Sequence, residues 1–301
     1  MRPRTLVDLL VLGLIWGASF LMIKIGIAEI EPLTFAMARV AIGAATLWIF
    51  WRRGGAAFPL DSRALTCFAI LGLVGIALPF ALSTWGTQFI PSGLSAILNA
   101  TMPLFTIILA AASGAEDLSW RRSAGVLCGF GGILLVTWPG LRGELGAGQA
   151  GQAAVVLAAL CSAAGIVYAR HKAAGLSPLA LSTGQITAAT LWLLPVIVAQ
   201  RPWAAPGPSW AAVAAALAIG TLGTGVAYVL YYRLLADLGA TGASLVTFMV
   251  PIFGIFWGWA VLGERLTGEA FVALGAIIMG SMMVNDRPFG RISVPHTRSD
   301  S

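Results

Sequence analysis

Runs of about 20 apolar residues recur along this chain from Leu6 to Asn285, separated only by short polar segments. A helix of that length crosses a hydrocarbon core of about 30 Å, so each run predicts one transmembrane helix. Ten runs can be placed, near residues 6–28, 33–51, 64–87, 93–113, 121–138, 152–169, 177–199, 209–232, 240–262 and 268–285. The sequence therefore predicts an all-α integral membrane protein with ten transmembrane helices.

The composition agrees with a membrane location. Of the 301 residues 58% are hydrophobic and 10% are charged, whereas a soluble domain carries about 25% charged residues. Cys67, Cys128 and Cys161 all fall inside predicted spans without a second Cys or a His at metal-ligand spacing. We expect no disulfide, no metal site and no cofactor. Arg2 and Arg4 precede an apolar run as in a signal peptide, but no small-residue cleavage pattern follows, so we interpret this run as the first span.

The basic residues predict the orientation. With a cytoplasmic N-terminus, 13 of the 18 Lys and Arg lie in cytoplasmic segments, three lie outside, and two, Lys24 and Arg39, lie within spans. This is the asymmetry of positive-inside insertion, and it places both termini in the cytoplasm. It also accounts for the net charge of +6 without nucleic acid, because the basic residues are dispersed among loops.

One half of the chain repeats in the other. A shift of 148 positions superimposes Pro103 on Pro251, Phe105 on Phe253, Ile107 on Ile255, Ala112 on Ala260, Glu116 on Glu264 and Leu118 on Leu266. Each copy places a proline inside an apolar run and a Glu-x-Leu-Ser/Thr motif after it, which indicates a duplicated unit.

Five spans per unit is an odd number, so the second unit enters the membrane upside down relative to the first. The predicted fold is therefore two inverted five-helix repeats around a central cavity. We place the first repeat at 1–138, an external Gly-rich linker at 139–151, the second repeat at 152–285 and a polar cytoplasmic tail at 286–301.

The order of several short motifs carries a family resemblance. A first helix with Trp16-Gly17-Ala18-Ser19-Phe20 and Lys24 is followed by Pro32-Leu33, Arg39, the proline-bearing helix and Glu116-Asp117-Leu118-Ser119, and the pattern returns after about 145 residues. In this the chain resembles the drug/metabolite transporter superfamily, and within it the ten-helix exporters built from two EamA-type repeats. The resemblance implies export of small metabolites, often amino acids, from a bacterial-type inner membrane.

Inverted repeats place substrate sites near the midplane, where helices of both halves meet. Pro103 and Pro251 each free a backbone carbonyl there, since proline removes a helical hydrogen bond. Polar residues near the prolines make candidate substrate contacts: Asn99, Thr101, Ser244 and Thr247. The alternative is that the prolines only bend helices and the polar groups bond neighbouring helices.

Two cations inside the spans also leave two interpretations open. Lys24 either offers its ammonium to a substrate carboxylate or extends to the membrane surface. For Arg39 we expect pairing with Glu29 or Glu31. Cavity-lining aromatics are expected among Trp16, Phe80, Tyr168 and Tyr228, with Ser19 beside them, although aromatics in spans more often pack or anchor. The candidates for helix bending during transport are Pro79, Pro103, Gly223, Gly225 and Pro251.

The acidic residues all fall in loops or near span ends. Ion-coupled transporters usually bind the coupling ion with a carboxylate inside the membrane, so we expect facilitated export by alternating access. Glu116 and Glu264 are interpreted as loop residues, with Ser119 and Thr267 capping the next helices. No catalytic constellation is found, so we predict no enzyme. A proton-coupled drug efflux pump and a non-transporting receptor or scaffold remain as alternatives, and so do a monomer and a weak homodimer.

Overall fold

The computed structural model describes residues 3–54, 57–141, 146–200, 207–231, 233–234, 237 and 245–284. These residues form ten helical spans, α1 Pro3–Gly26, α2 Pro32–Gly54, α3 Ser62–Thr87, α4 Ser92–Ala112, α5 Trp120–Leu141, α6 Ala147–Lys172, α7 Pro178–Gln200, α8 Trp210–Tyr231, α9 Val246–Leu262 and α10 Gly268–Val284. Seven of these described spans are long and apolar enough to cross a membrane, and α9 and α10 are apolar helices of 17 residues. The described ranges contain no strand, which confirms the all-helical prediction.

Equivalent spans begin with equivalent caps. The carboxylate of Asp61 accepts a hydrogen bond from the Ala64 N–H at the start of α3, at 3.0 Å. The Ser209 hydroxyl does the same for the Ala212 N–H at the start of α8, at 3.4 Å. The two capping residues stand 148 positions apart, so the duplication extends to the groups that satisfy the free N–H groups of a helix start.

The packing of the helices is reciprocal between the halves. α1 packs on α9 as α6 packs on α4, α3 packs on α6 as α8 packs on α1, and α3 packs on α7 as α8 packs on α2. α2 with α7, α4 with α9 and α5 with α10 form three symmetric pairs. These reciprocal contacts confirm two inverted five-helix repeats.

The pair α5 and α10 depends on glycine. A Cβ on Gly125 would lie 2.7 Å from the Gly280 carbonyl oxygen, and one on Gly132 would lie 2.8 Å from the Ala273 carbonyl oxygen. Such a contact is closer than any side chain tolerates, so the backbones approach as small residues allow in membrane bundles. These glycines thus bring together two helices of the same chain.

Both α3 and α8 widen into a π-helical turn, over Leu71–Ala77 and Thr221–Val226. In α8 the Thr224 hydroxyl donates to the Ile219 carbonyl oxygen five residues earlier, at 3.1 Å. Gly223 and Gly225, predicted to permit bending, lie inside this turn. Turns of this kind often occur at functional sites, and here they occupy equivalent places in the two repeats.

The helices extend into the segment predicted as a linker, 139–151. α5 continues to Leu141 and α6 begins at Ala147, because the Gln149 side chain accepts a hydrogen bond from the Gly146 N–H at 2.9 Å. Residues 142–145, like the predicted tail 286–301, lie outside the described residues.

Candidate substrate cavity

A cavity of about 290 Å³ lies between the two repeats. It is lined by residues of α1, α2, α3, α4, α6, α8 and α9, whereas the described parts of α5, α7 and α10 contribute none. Its volume falls at the lower end of the range for small-molecule pockets, about 300–1,000 Å³. The cavity therefore suits a small metabolite better than a drug-sized molecule.

Much of the lining consists of equivalent residues from the two halves. Five pairs separated by 148 positions face the cavity, Gly75 with Gly223, Phe80 with Tyr228, Ser83 with Tyr231, Asn99 with Thr247 and Met102 with Val250. The cavity thus lies on the pseudo-two-fold axis, where an inverted-repeat transporter is expected to place its substrate site.

The structure brings nine of the sequence-predicted residues to this cavity. They are Trp16, Ser19, Pro79, Phe80, Asn99, Pro103, Gly223, Tyr228 and Thr247. Lys24, Thr101, Tyr168, Gly225 and Pro251 are outside the lining, and Ser244 lies outside the described residues. Thr101 is fully buried, and its hydroxyl donates to the Leu98 carbonyl oxygen at 2.6 Å. It therefore bonds the backbone of its own span instead of a ligand.

The two proline helices differ although their sequences are aligned. α4 is interrupted between Ser92–Asn99 and Met102–Ala112, just before Pro103, whereas α9 continues through Pro251. The interruption leaves Asn99 at a helix end, and its amide makes no hydrogen bond to a described residue although it borders the cavity. An amide in that position is free to bond a ligand.

Aromatic rings form one wall. The Trp16 indole N–H donates to the Gly223 carbonyl oxygen at 3.2 Å, inside the π-helical turn of α8. The Trp16 ring lies 6.5 Å from Tyr228 and 5.7 Å from Tyr231, measured between ring centroids. Because Trp16 is tied to the widened turn, α1 and α8 present one continuous apolar surface to a ligand.

Lys24, one of the candidates for a substrate carboxylate, bonds backbone carbonyls instead. Its ammonium donates to the carbonyl oxygens of Thr87 at 2.9 Å, Gln88 at 3.2 Å and Ile90 at 2.9 Å. An ammonium has three donors, so none remains for a substrate. These carbonyls follow the end of α3, and a cation is favourable at a helix C-terminus.

The duplicated glutamates also lie away from the cavity. Glu264 accepts hydrogen bonds from the Ser92 N–H at 2.9 Å, the Ser92 hydroxyl at 2.8 Å and the Gly93 N–H at 3.2 Å, which caps α4. Glu116 instead forms ion pairs with Arg122 at 3.1 Å and Arg170 at 2.6 Å. Glu264 lies in the loop between α9 and α10, and its carboxylate caps the start of α4 in the other repeat.

Ser119 accepts a hydrogen bond from the Arg122 N–H at 3.4 Å and so caps α5, as the sequence predicts. At the start of α10, the Ala270 N–H instead bonds the backbone carbonyl of Thr267, at 3.0 Å.

Arg39 is the lining residue that sequence reasoning assigned elsewhere. The predicted pairing with Glu29 or Glu31 is wrong, because Glu29 bonds Ser209 and Glu31 accepts from the Thr34 N–H at 2.9 Å. Arg39 turns inward and borders the cavity. The only feature of the sequence that points to this location is the position of Arg39 on α2, far from the basic residues at the end of that helix.

The lining also contains three further polar residues, Ser83, Ser162 and Tyr231. Ser83 and Tyr231 carry the 148-position relation, which would have identified them once Phe80 and Tyr228 were chosen. The repeat comparison does not identify Ser162, because its counterpart at a shift of 145 is Gly17, which does not border the cavity.

Known proteins resemble the chain over nearly its whole length. A family model described as the EamA-like transporter family matches residues 5–138 and again 149–286. The uncharacterized transporter YoaV of Bacillus subtilis is 26% identical, with 92% of this chain and 94% of the relative covered. The uncharacterized inner membrane transporter YedA of Escherichia coli is also 26% identical, with 92% and 89% covered.

A probable terminal-alkyne amino-acid exporter of Streptantibioticus cattleyicolor is 26% identical as well, with 92% and 91% covered. A solved crystal structure, 17% identical, covers 94% of this chain with 98% of its own length at a TM-score of 0.65, which shows the same fold. The two family matches, one to each repeat, confirm the resemblance seen in the sequence. The chain is a membrane protein that belongs to the EamA-like transporter family of the drug/metabolite transporter superfamily.

Proposed function

We propose that this protein exports small metabolites, with amino acids as the first candidates, by alternating access around the central cavity. The observation that carries the proposal is the lining itself, since equivalent residues of both repeats face one small cavity on the symmetry axis. A relative named as a probable amino-acid exporter supports the substrate class. The aromatic wall of Trp16, Phe80 and Tyr228 favours apolar or aromatic side chains.

Export is proposed to be facilitated rather than ion-coupled. None of the described residues that border the cavity is Asp or Glu, whereas a coupling ion usually needs a carboxylate there. Glu116 and Glu264 are engaged at helix ends. In this proposal the protein lies in the bacterial inner membrane with both termini in the cytoplasm, as the basic residues indicate, and it is not an enzyme.

Flux in proteoliposomes tests this function. The purified protein is reconstituted, and uptake of radiolabelled neutral amino acids is measured against a preloaded unlabelled pool, with and without a proton gradient. We expect saturable exchange that the gradient does not change. Acceleration by the gradient would favour a proton-coupled pump. Absence of flux for the whole panel, from protein shown to be folded, would leave a receptor or scaffold and end the exporter proposal.

A further inference from the structure

Arg39 is the one charged residue among the described residues that line the cavity. Its side chain is only 9% exposed, and it lies seven positions into α2, away from both ends of that helix. Placing an arginine inside a membrane is unfavourable, because its charge loses the hydration that water provides. Such a charge is retained where it has a partner or a task.

The guanidinium is held on two sides. Its Nε donates to the Thr224 hydroxyl at 3.2 Å, and that hydroxyl in turn donates to the Ile219 carbonyl oxygen in the π-helical turn. Its central carbon lies 3.8 Å from the centroid of the Phe80 ring, a cation–π contact. Thr224 and Phe80 therefore hold the plane of the guanidinium in one orientation.

The other two nitrogens of Arg39 have no partner among the described residues. Neither terminal nitrogen makes a hydrogen bond to a described residue, and neither is fully buried. No ion pair links Arg39 to a described carboxylate. The fork of N–H groups, which matches the two oxygens of a carboxylate, is thus presented to the cavity with its charge uncompensated.

The symmetry of the lining makes Arg39 distinct. The five equivalent pairs show what the duplicated scaffold supplies to the cavity, and all five are uncharged. The counterpart of Arg39 in the second repeat is Gln185, at a shift of 146, and it does not border the cavity. The fold therefore does not require a cation at this place.

We propose that Arg39 binds the carboxylate of the transported substrate and so restricts transport to small carboxylates, amino acids included. This inference rests on the proposed function and names the substrate class of the same cavity. One unpaired positive charge balances one carboxylate. Asn99, Ser83 and Ser162 supply uncharged polar groups around it, and the aromatic wall receives the apolar part of the substrate. Cationic drugs are excluded by the same charge.

Matched ligand pairs test the inference on the unchanged protein. Thermal stability and competition for flux are measured with L-leucine against L-leucinamide, and with L-phenylalanine against L-phenylalaninamide. Each amide keeps the side chain and the amino group but loses the negative charge. We expect the acid of each pair to bind about 10- to 100-fold more tightly, the range of a charge-assisted hydrogen-bonded contact.

Variants then assign the preference to one side chain. Arg39→Gln is expected to bring acid and amide to within about threefold of each other, and Arg39→Lys to retain part of the preference because the charge stays but the fork is lost. Arg53→Gln is the matched control, since Arg53 lies exposed at the other end of the same helix. It should keep the full preference.

The outcomes separate this inference from the function on which it rests. Flux with equal affinity for acid and amide in the unchanged protein would overturn the role of Arg39 and leave the exporter standing. A full preference in Arg39→Gln would overturn it as well. No binding and no flux for any probe would overturn the exporter proposal and this inference together. Because the first comparison needs no variant, a failure of Arg39→Gln to fold does not prevent the decision.

Discussion

Lys24 and Arg39 are two cations inside the membrane-spanning helices of one repeat, and the structure uses them in opposite ways. The ammonium of Lys24 has all three donors on the carbonyl oxygens of Thr87, Gln88 and Ile90. The guanidinium of Arg39 has one nitrogen on Thr224 and presents the other two to the cavity. A cation whose donors all bond the protein stabilises the fold, whereas one with free donors can bind a ligand.

The difference also has a consequence for stability. Lys24 satisfies carbonyls that α3 cannot satisfy by itself, and it does so at the favourable end of the helix dipole. Arg39 is buried without a described carboxylate beside it, so among the described residues Thr224 and the Phe80 ring compensate its desolvation. Lys24 is thus expected to stabilise the protein, whereas Arg39 is expected to serve function at little benefit to stability.

The largest expected effect on stability is that of Lys24→Met. The change removes three charge-assisted hydrogen bonds and leaves buried carbonyls without partners, so the free energy of unfolding should fall by about 1.5–3 kcal/mol. Thermal unfolding of the purified protein in detergent measures it, with Lys24→Arg as the control that keeps donors at the site. A stability equal to that of the unchanged protein would remove the structural role of Lys24.

Arg39→Met should act in the other direction. Removing a buried and uncompensated charge offsets the loss of the Thr224 bond and the Phe80 contact, so the free energy of unfolding should change by less than about 1 kcal/mol or increase. The same thermal unfolding experiment compares it directly with Lys24→Met. If Arg39→Met destabilises the protein as strongly, the contrast between the two cations is lost.

A smaller effect is expected at Glu264. Glu264→Gln removes the charge that caps α4 through Ser92 and Gly93 and that lies near Lys24, so stability should fall by about 0.5–1 kcal/mol. The equivalent change Glu116→Gln, which breaks only ion pairs near the surface with Arg122 and Arg170, should have the smaller effect of the two. The reverse order would mean that Glu264 does not stabilise α4.

The smallest effect concerns pH. Hydrogen bonds from the Ser209 hydroxyl and the Ser209 N–H hold the pKa of Glu29 below its usual value. A lowered pKa in the folded state means that this stabilisation is present above the ordinary pKa of a glutamate and is lost as the pH falls through the folded value. The unfolding temperature should therefore fall slightly more between about pH 7 and pH 4 in the unchanged protein than in Glu29→Gln. An equal fall in both proteins would contradict a contribution of the hydrogen bonds between Ser209 and Glu29 to stability.

The duplication was the part of the structure most accessible from the sequence. A gapless shift of 148 positions and an odd number of spans predict the inverted repeats, because topology leaves no other arrangement. The same shift relates the capping residues Asp61 and Ser209 and the five pairs in the lining. Residues that are equivalent in the two repeats occupy equivalent positions in the fold, so a single sequence is enough to predict the repeat.

The roles of the two cations were not accessible in this way. Lys24 and Arg39 both lie within about two helical turns of a predicted span end, and each has a long side chain that reaches several neighbours. Their roles depend on the end of α3 in one case and on the widened turn of α8 in the other. No local pattern marks those π-helical turns, since they arise from packing between helices distant in sequence.

The central claim is that the cavity between the repeats is the path of the substrate. Filling it from α6 tests this directly, with Ser162→Trp in the lining and Leu157→Trp as the control on the same helix, at a residue that is 46% exposed on the outer surface. Flux is measured in proteoliposomes for the amino acid that the unchanged protein transports fastest, after both variants are shown to be folded. The account predicts that Ser162→Trp reduces flux to that of protein-free liposomes while Leu157→Trp transports normally. Normal transport by Ser162→Trp would contradict it.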